Sequence, residues 1–283
     1  MKTIRPHLII PLYNTFQNVR SLMFSCFREF MPYLFSIAVV RLIHEDNSLQ
    51  MLISNFLVNF LTLNILYEYT YIVNEYFTKY EPEELRTLRW GGVSKYEVVL
   101  AFVTRLTLWY TITTLCGESI SLIPGIFLIF FIMIHQILPW ELRSLIGVTS
   151  LRLLRIIYVL GPLTSSYDEK WYLITFSFIQ VLPHTLNYFS SKLYKIYFKE
   201  KKQFIVFNRY TFVGFRLVTF YLLGILFSIM SYLCLFRRSL NCESVLIPLA
   251  YFTYILSYES ARLIVKKSKS KLMSNRHEQF NQI

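Results

Sequence analysis

The chain has 283 residues, 54% of them hydrophobic and 18% aromatic, with a net charge of +12. Apolar runs close to the roughly 20 residues that cross a hydrocarbon core recur along it, which excludes an ordinary soluble domain. Only 8 glycines and 9 prolines punctuate the sequence, too few turn signals for a transmembrane barrel. The positive charge falls between the apolar runs, so it points to anionic lipid and to orientation in a membrane, with no nucleic acid as partner.

Residues 1–30 read as an interfacial segment. Phe16, Val19, Leu22, Met23, Phe27 and Phe30 follow a helical period, and Arg20 and Arg28 can reach head groups. Arg5, Pro6, Pro11, Asn14 and Arg20 break the apolar run that a cleavable signal peptide needs. Spans are predicted at 31–43, 51–73, 96–115, 121–138, 145–163, 171–190, 210–235 and 244–265. The fold class is therefore all-α: a polytopic transmembrane bundle of about eight or nine spans over residues 31–265, closed by a polar, basic tail at 266–283.

The basic residues fix an orientation. With the N-terminus in the cytoplasm, the inner segments hold most of the 29 lysines and arginines, and the outer loops hold Lys170, Arg237 and Arg238. Both termini are then cytoplasmic in an integral, multi-pass membrane protein. The two long polar connections, 74–95 and 191–209, share that face. The four cysteines show no metal-ligand spacing; Cys116 and Cys242 fall in loops on the same outer side, where a disulfide between them is conceivable.

Ionisable groups inside a bilayer are expensive, so each one is a functional candidate. Asn64, Tyr67, Glu68, Tyr71 and Glu75 recur at helical spacing along one face of the second span. Gln180, His184, Asn187, Tyr188 and Ser191 form a matching stripe on the sixth. Neither stripe can face lipid cheaply. Both run toward the cytoplasmic face, which predicts a central cavity open on that side. The alternative is that these side chains bond one another as interhelical glue. Arg105, Arg152, Arg155 and Arg216 need partners within the spans, and Glu68 is the deep carboxylate available to one of them. Arg152 and Arg155 share a helix face and could grip one anion, or reach lipid phosphate.

The corner after the second span reads Asn74-Glu75-Tyr76-Phe77-Thr78, then Lys79-Tyr80-Glu81-Pro82, then Arg89-Trp90-Gly91-Gly92-Val93-Ser94. This stretch resembles the first signature of the UbiA superfamily of intramembrane prenyltransferases, N-D-x-x-D-x-x-x-D followed by a loop ending in R-P-x-x-x-G. Asn74, Arg89 and Gly92 match; Glu75 replaces the first Asp, Thr78 the second, and Glu81 falls one residue short of the third. The family's second signature, D-x-x-x-D, would fall beside Asn187, where this chain has no Asp. Lys192 and Lys195 stand there instead, either to pair with phosphate directly or as ordinary positive-inside lysines.

The resemblance implies a divergent transferase that moves a prenyl group from an isoprenoid diphosphate donor to a hydrophobic or aromatic acceptor. It implies Asn74 and Glu75 at the chemistry and Mg²⁺ on Glu75 and Glu81. Glu68, Tyr71, Arg86, Arg89, His184, Asn187, Lys192 and Lys195 would surround the substrate. The missing second signature keeps an alternative open: a catalytically silent lipid-phosphate binder, or an accessory or transport protein, on the same scaffold. No phosphate-binding Gly-rich loop, H-E-x-x-H or G-x-S-x-G occurs.

Overall fold

The computed structural model describes residues 5, 10–13, 26–43, 49–78, 92–117, 122–165, 167–197, 222, 226, 229, 245–258 and 260–261. Among them the regular structure is helical and no strand occurs. A π-helical turn, Cys26–Phe30, leads into α1, Met31–Ile43. Then come α2, Leu49–Phe77, α3, Lys95–Cys116, and α4, Leu122–Ile137. Next are α5, Trp140–Leu163, α6, Tyr167–Tyr197, and α7, Val245–Tyr258.

Local sequence explains the boundaries. No Gly or Pro interrupts α2, whose 29 residues span roughly 44 Å at the α-helical rise. Ser94 caps α3 with a reciprocal capping box to Glu97, and Gly117, at φ 67, ends it. Residues Arg143–Gly147 of α5 form a π-helical turn, and Gly161–Leu163 close the helix as a 3₁₀ turn before Thr164.

α2 and α3 pack extensively on one another, and α5 lies against α2, α4 and α6. Phe30 packs edge-on against Phe56 and Phe60 of α2, with ring centroids 6.4 and 5.6 Å apart. Tyr251 of α7 packs between Tyr33 of α1 and Phe176 of α6, at 4.6 and 5.1 Å. The Trp109 ring of α3 lies where a Cβ on Gly125 of α4 would come within 2.2 Å of it. Its Nε1 donates to Tyr158 of α5 (2.8 Å), whose hydroxyl donates to Thr62 of α2 (3.1 Å). One glycine and one hydrogen-bond chain thus bind four helices together.

The surface is inverted relative to a water-soluble protein. Glu68, Glu75, Arg105, Arg143, Arg155 and Glu169 are buried. The outward face of α4 is Ile123, Ile126, Phe127, Phe130, Met133 and Ile137, all exposed and at helical spacing. Three helices, Leu49–Phe77, Lys95–Cys116 and Trp140–Leu163, are long and apolar enough to cross a membrane; α1, α4 and α7 are shorter apolar helices. The expected spans at 51–73, 96–115, 121–138, 145–163 and 171–190 coincide with α2 to α6, and the expected span at 31–43 with α1. Of the expected span 210–235, only Leu222, Leu226 and Ile229 are described; they are helical and exposed. The interfacial segment expected at 1–30 lies outside the described residues except for 5, 10–13 and the π-helical turn.

Candidate functional site

The polar stripe of α2 runs along a helix wrapped on several sides, and its members divide among different neighbours. Glu68, 2% exposed, accepts a hydrogen bond from Arg105 Nη2 of α3 at 3.3 Å; Arg105 is 1% exposed. The same oxygen, Oε2, accepts the backbone N–H of Leu12 at 2.8 Å. Arg105 is thus one of the arginines expected inside the spans that meets the deep carboxylate, and Arg216 lies outside the described residues. Asn64 turns back on its own helix and donates to the Phe60 carbonyl at 2.7 Å.

Two turns beyond Glu68, Glu75 is also buried, and its Oε1 accepts the backbone N–H of Gly92 at 3.2 Å. Gly92 has φ 89, in the left-handed region that favours glycine. Its carbonyl accepts Arg5 Nη2 at 2.6 Å. Arg5 closes a fork on Glu97, Nε to Oε1 at 2.9 Å and Nη2 to Oε2 at 3.0 Å. That hydrogen bond to Glu97, with the Glu75 charge nearby, pushes the Arg5 guanidinium above its ordinary range, so it stays protonated. One residue, Gly92, thus links Glu75 through its N–H to Arg5 and Glu97 through its carbonyl.

Tyr67 and Tyr71 look the other way. Tyr71 is exposed and meets Tyr67 edge-on at 5.7 Å. Arg155 of α5 lies over the Tyr67 ring, 4.2 Å from its centroid, and its Nη1 stands 3.4 Å from Glu29 Oε2 of the π-helical turn. Arg152, expected to share an anion with Arg155, is only partly buried. Asn74 is half-buried, and its carbonyl accepts the Thr78 hydroxyl at 2.7 Å.

On α6, Gln180 Oε1 accepts the Tyr251 hydroxyl of α7 at 3.0 Å, and the Thr185 hydroxyl accepts that of Thr149 on α5 at 3.0 Å. The backbones of His184, Asn187, Lys192 and Lys195 belong to α6, and their side chains lie outside what the structure describes. Arg86, Arg89 and Glu81 fall within residues 79–91, also outside it.

Of the pair that the resemblance implies for magnesium, Glu75 is described and Glu81 lies outside the described residues. No group of three His, Cys, Asp or Glu side chains able to hold a metal ion occurs among them. Glu75 has one oxygen on Gly92, and Glu97 has both oxygens on Arg5 and Ser94. What the corner offers is carboxylates matched by guanidinium and backbone N–H groups.

Comparison with protein-family models, with curated proteins and with solved structures finds no match.

Pattern reasoning missed Arg5, Leu12 and Glu29 as partners. Each meets a residue far from it in sequence, which no helical period records. The Ser94-x-x-Glu97 capping signature was readable, and it places Glu97 at the corner.

Proposed function

We propose that the chain is a polytopic membrane protein of about eight spans with both termini in the cytoplasm. On this reading it binds an isoprenoid diphosphate at a cytoplasmic mouth near the α2–α3 corner and does not turn it over. The inverted surface supports the membrane setting, because an apolar outer face and buried charges suit lipid better than water. The observation that carries the binding reading is the neutralisation of the corner. Glu68, Glu75 and Glu97 each already accept from an arginine or a backbone N–H, an arrangement unlike the open carboxylates a hard cation needs.

The second reading is prenyl transfer to a hydrophobic or aromatic acceptor. The match of Asn74, Arg89 and Gly92 to the UbiA signature supports it. One experiment separates the two. The purified chain in lipid nanodiscs is given a prenyl diphosphate with and without chelator. Binding that ignores chelator, with no diphosphate released, is the expected result. Magnesium-dependent release that disappears in Glu75→Gln would select transfer instead, and no binding under any condition would overturn both.

A further inference from the structure

Arg155 of α5 is buried, at 8% exposure, and its neighbours leave the guanidinium under-supplied. Its Nη1 stands 3.4 Å from Glu29 Oε2, an ion pair without a hydrogen bond. Neither Glu29 Oε2 nor Arg155 Nε has a hydrogen-bond partner among the described residues. The Tyr67 and Phe30 rings lie 4.2 and 6.0 Å from the guanidinium carbon. A ring face offsets part of the charge but gives the Nε–H no lone pair to meet. A buried cation with an unmatched donor is costly to keep, so a further acceptor would be well received here.

The loose partner is also the movable one. Glu29 sits on a five-residue π-helical turn, and its side chain keeps 15% exposure. If it swings away, Arg155 still rests on Tyr67. The face also has an open end. Asn59 meets Val159, Thr62 meets Tyr158 and Tyr67 meets Arg155, so α2 and α5 run antiparallel. The next turn brings Tyr71, which is exposed, level with Arg152, which is partly buried.

The chemistry of the face selects the ligand. Two guanidinium groups one turn apart outnumber one carboxylate. Their forked N–H donors suit an oxyanion with several acceptor oxygens, above all a phosphate. Beside Arg155 the wall is apolar: Phe30 packs on Phe56 and Phe60. A free phosphate would exchange its water for these rings at a loss, and an attached apolar chain offsets that loss.

We propose that Arg155, with Arg152 one turn away, binds the phosphate group of an amphiphile, and that the Glu29 carboxylate is the internal counter-ion which this phosphate displaces. The site lies on the α5 side of α2 and stands on its own geometry. Only a prenyl diphosphate as its occupant rests on the binding reading above.

The test uses the full chain in phosphate-free maltoside micelles, titrated calorimetrically with geranylgeranyl diphosphate, phosphatidic acid and inorganic diphosphate. At least one of the two amphiphiles should bind wild type. Glu29→Gln keeps the shape and removes the competing charge, so it should bind that amphiphile about ten-fold more tightly. Arg155→Met should weaken binding by about ten-fold or more, the worth of one charged hydrogen bond. Arg152→Met should cost less, since Arg152 is the less buried of the two. Should Arg155→Met fail to fold, Glu29→Gln decides, because it leaves both arginines in place. Binding unchanged or weakened in Glu29→Gln would overturn the displacement. Affinity indifferent to Arg155→Met, or no binding by any probe, would overturn the site. Inorganic diphosphate binding as tightly as the amphiphiles would overturn the need for a tail. Phosphatidic acid binding alone would assign the site to a phospholipid headgroup and count against the prenyl ligand. Geranylgeranyl diphosphate that binds but ignores both substitutions would sink this site and leave the binding reading standing.

Discussion

Arg105 and Arg155 are both buried arginines on neighbouring sides of α2, yet they are held in different ways. Arg105 reaches a carboxylate on the adjacent helix, both partners being all but fully enclosed at 1% and 2% exposure. Arg155 reaches Glu29 on the turn before α1, with side-chain exposures of 10% and 15%, and rests on the face of Tyr67. The first pair is locked between two long helices. The second joins a helix to a short turn and shares its charge with an aromatic ring. Burial alone therefore does not set how much a buried charge matters: what counts is whether any other group can compensate it when its partner is lost.

The largest effect should follow from separating the first pair. Glu68→Ala leaves a guanidinium enclosed between α2 and α3 and should destabilise by about 3–5 kcal/mol. Replacing both, Glu68→Leu with Arg105→Met, should recover most of that loss, because two apolar side chains need no counter-charge. Thermal unfolding of the detergent-purified chain measures both. A double variant as unstable as the single one would mean that the site depends on the charges for more than mutual neutralisation.

The second pair should break more gently. Glu29→Gln removes a partially exposed partner while Tyr67 remains beneath Arg155, so a loss nearer 1 kcal/mol is expected. Tyr67→Leu takes away the ring and keeps Glu29, with an expected loss of about 0.5–2 kcal/mol. If Glu29→Gln proved as damaging as Glu68→Ala, the contrast drawn from the ring would be wrong.

What the sequence made legible follows from the same geometry. Hydropathy reports how far a helix runs and which of its own faces is polar, so α2 to α6 lie where they were expected. Glu68 was recognisable as a deep carboxylate in want of an arginine. Its partner was not, because choosing Arg105 over Arg155 depends on how α3 and α5 are rotated about α2, and no single helix records that. The shared face of Tyr67, Glu68, Tyr71 and Glu75 was likewise readable. Its division between α3 on one side and α5 on the other was not, since the face is wide enough to meet two neighbours. Gln180 was read as lining a hollow, and its hydrogen bond goes to Tyr251 of α7, a partner 71 residues away. Arg5 and Leu12 carried no signal, because each meets a residue far from it in sequence and no helical period records such a contact.

The smallest expected effect bears most directly on the Glu29 end of the comparison. Cys26 opens the turn that carries Glu29, and burial pushes its thiol up to about 11. A raised thiol pKa means less thiolate at a given pH, and two units make it about 100-fold scarcer near pH 8. Cys26 should therefore react slowly with iodoacetamide in a chain whose other three cysteines are serine. If Arg155 holds the turn down through Glu29, Arg155→Met should loosen it, wet the thiol and raise the alkylation rate several-fold. The paired variant Glu68→Leu with Arg105→Met should leave that rate unchanged, since it acts on the far side of α2. Equal acceleration by both variants would show that the turn responds to the stability of the whole bundle and that the two arginines are not separate fastenings.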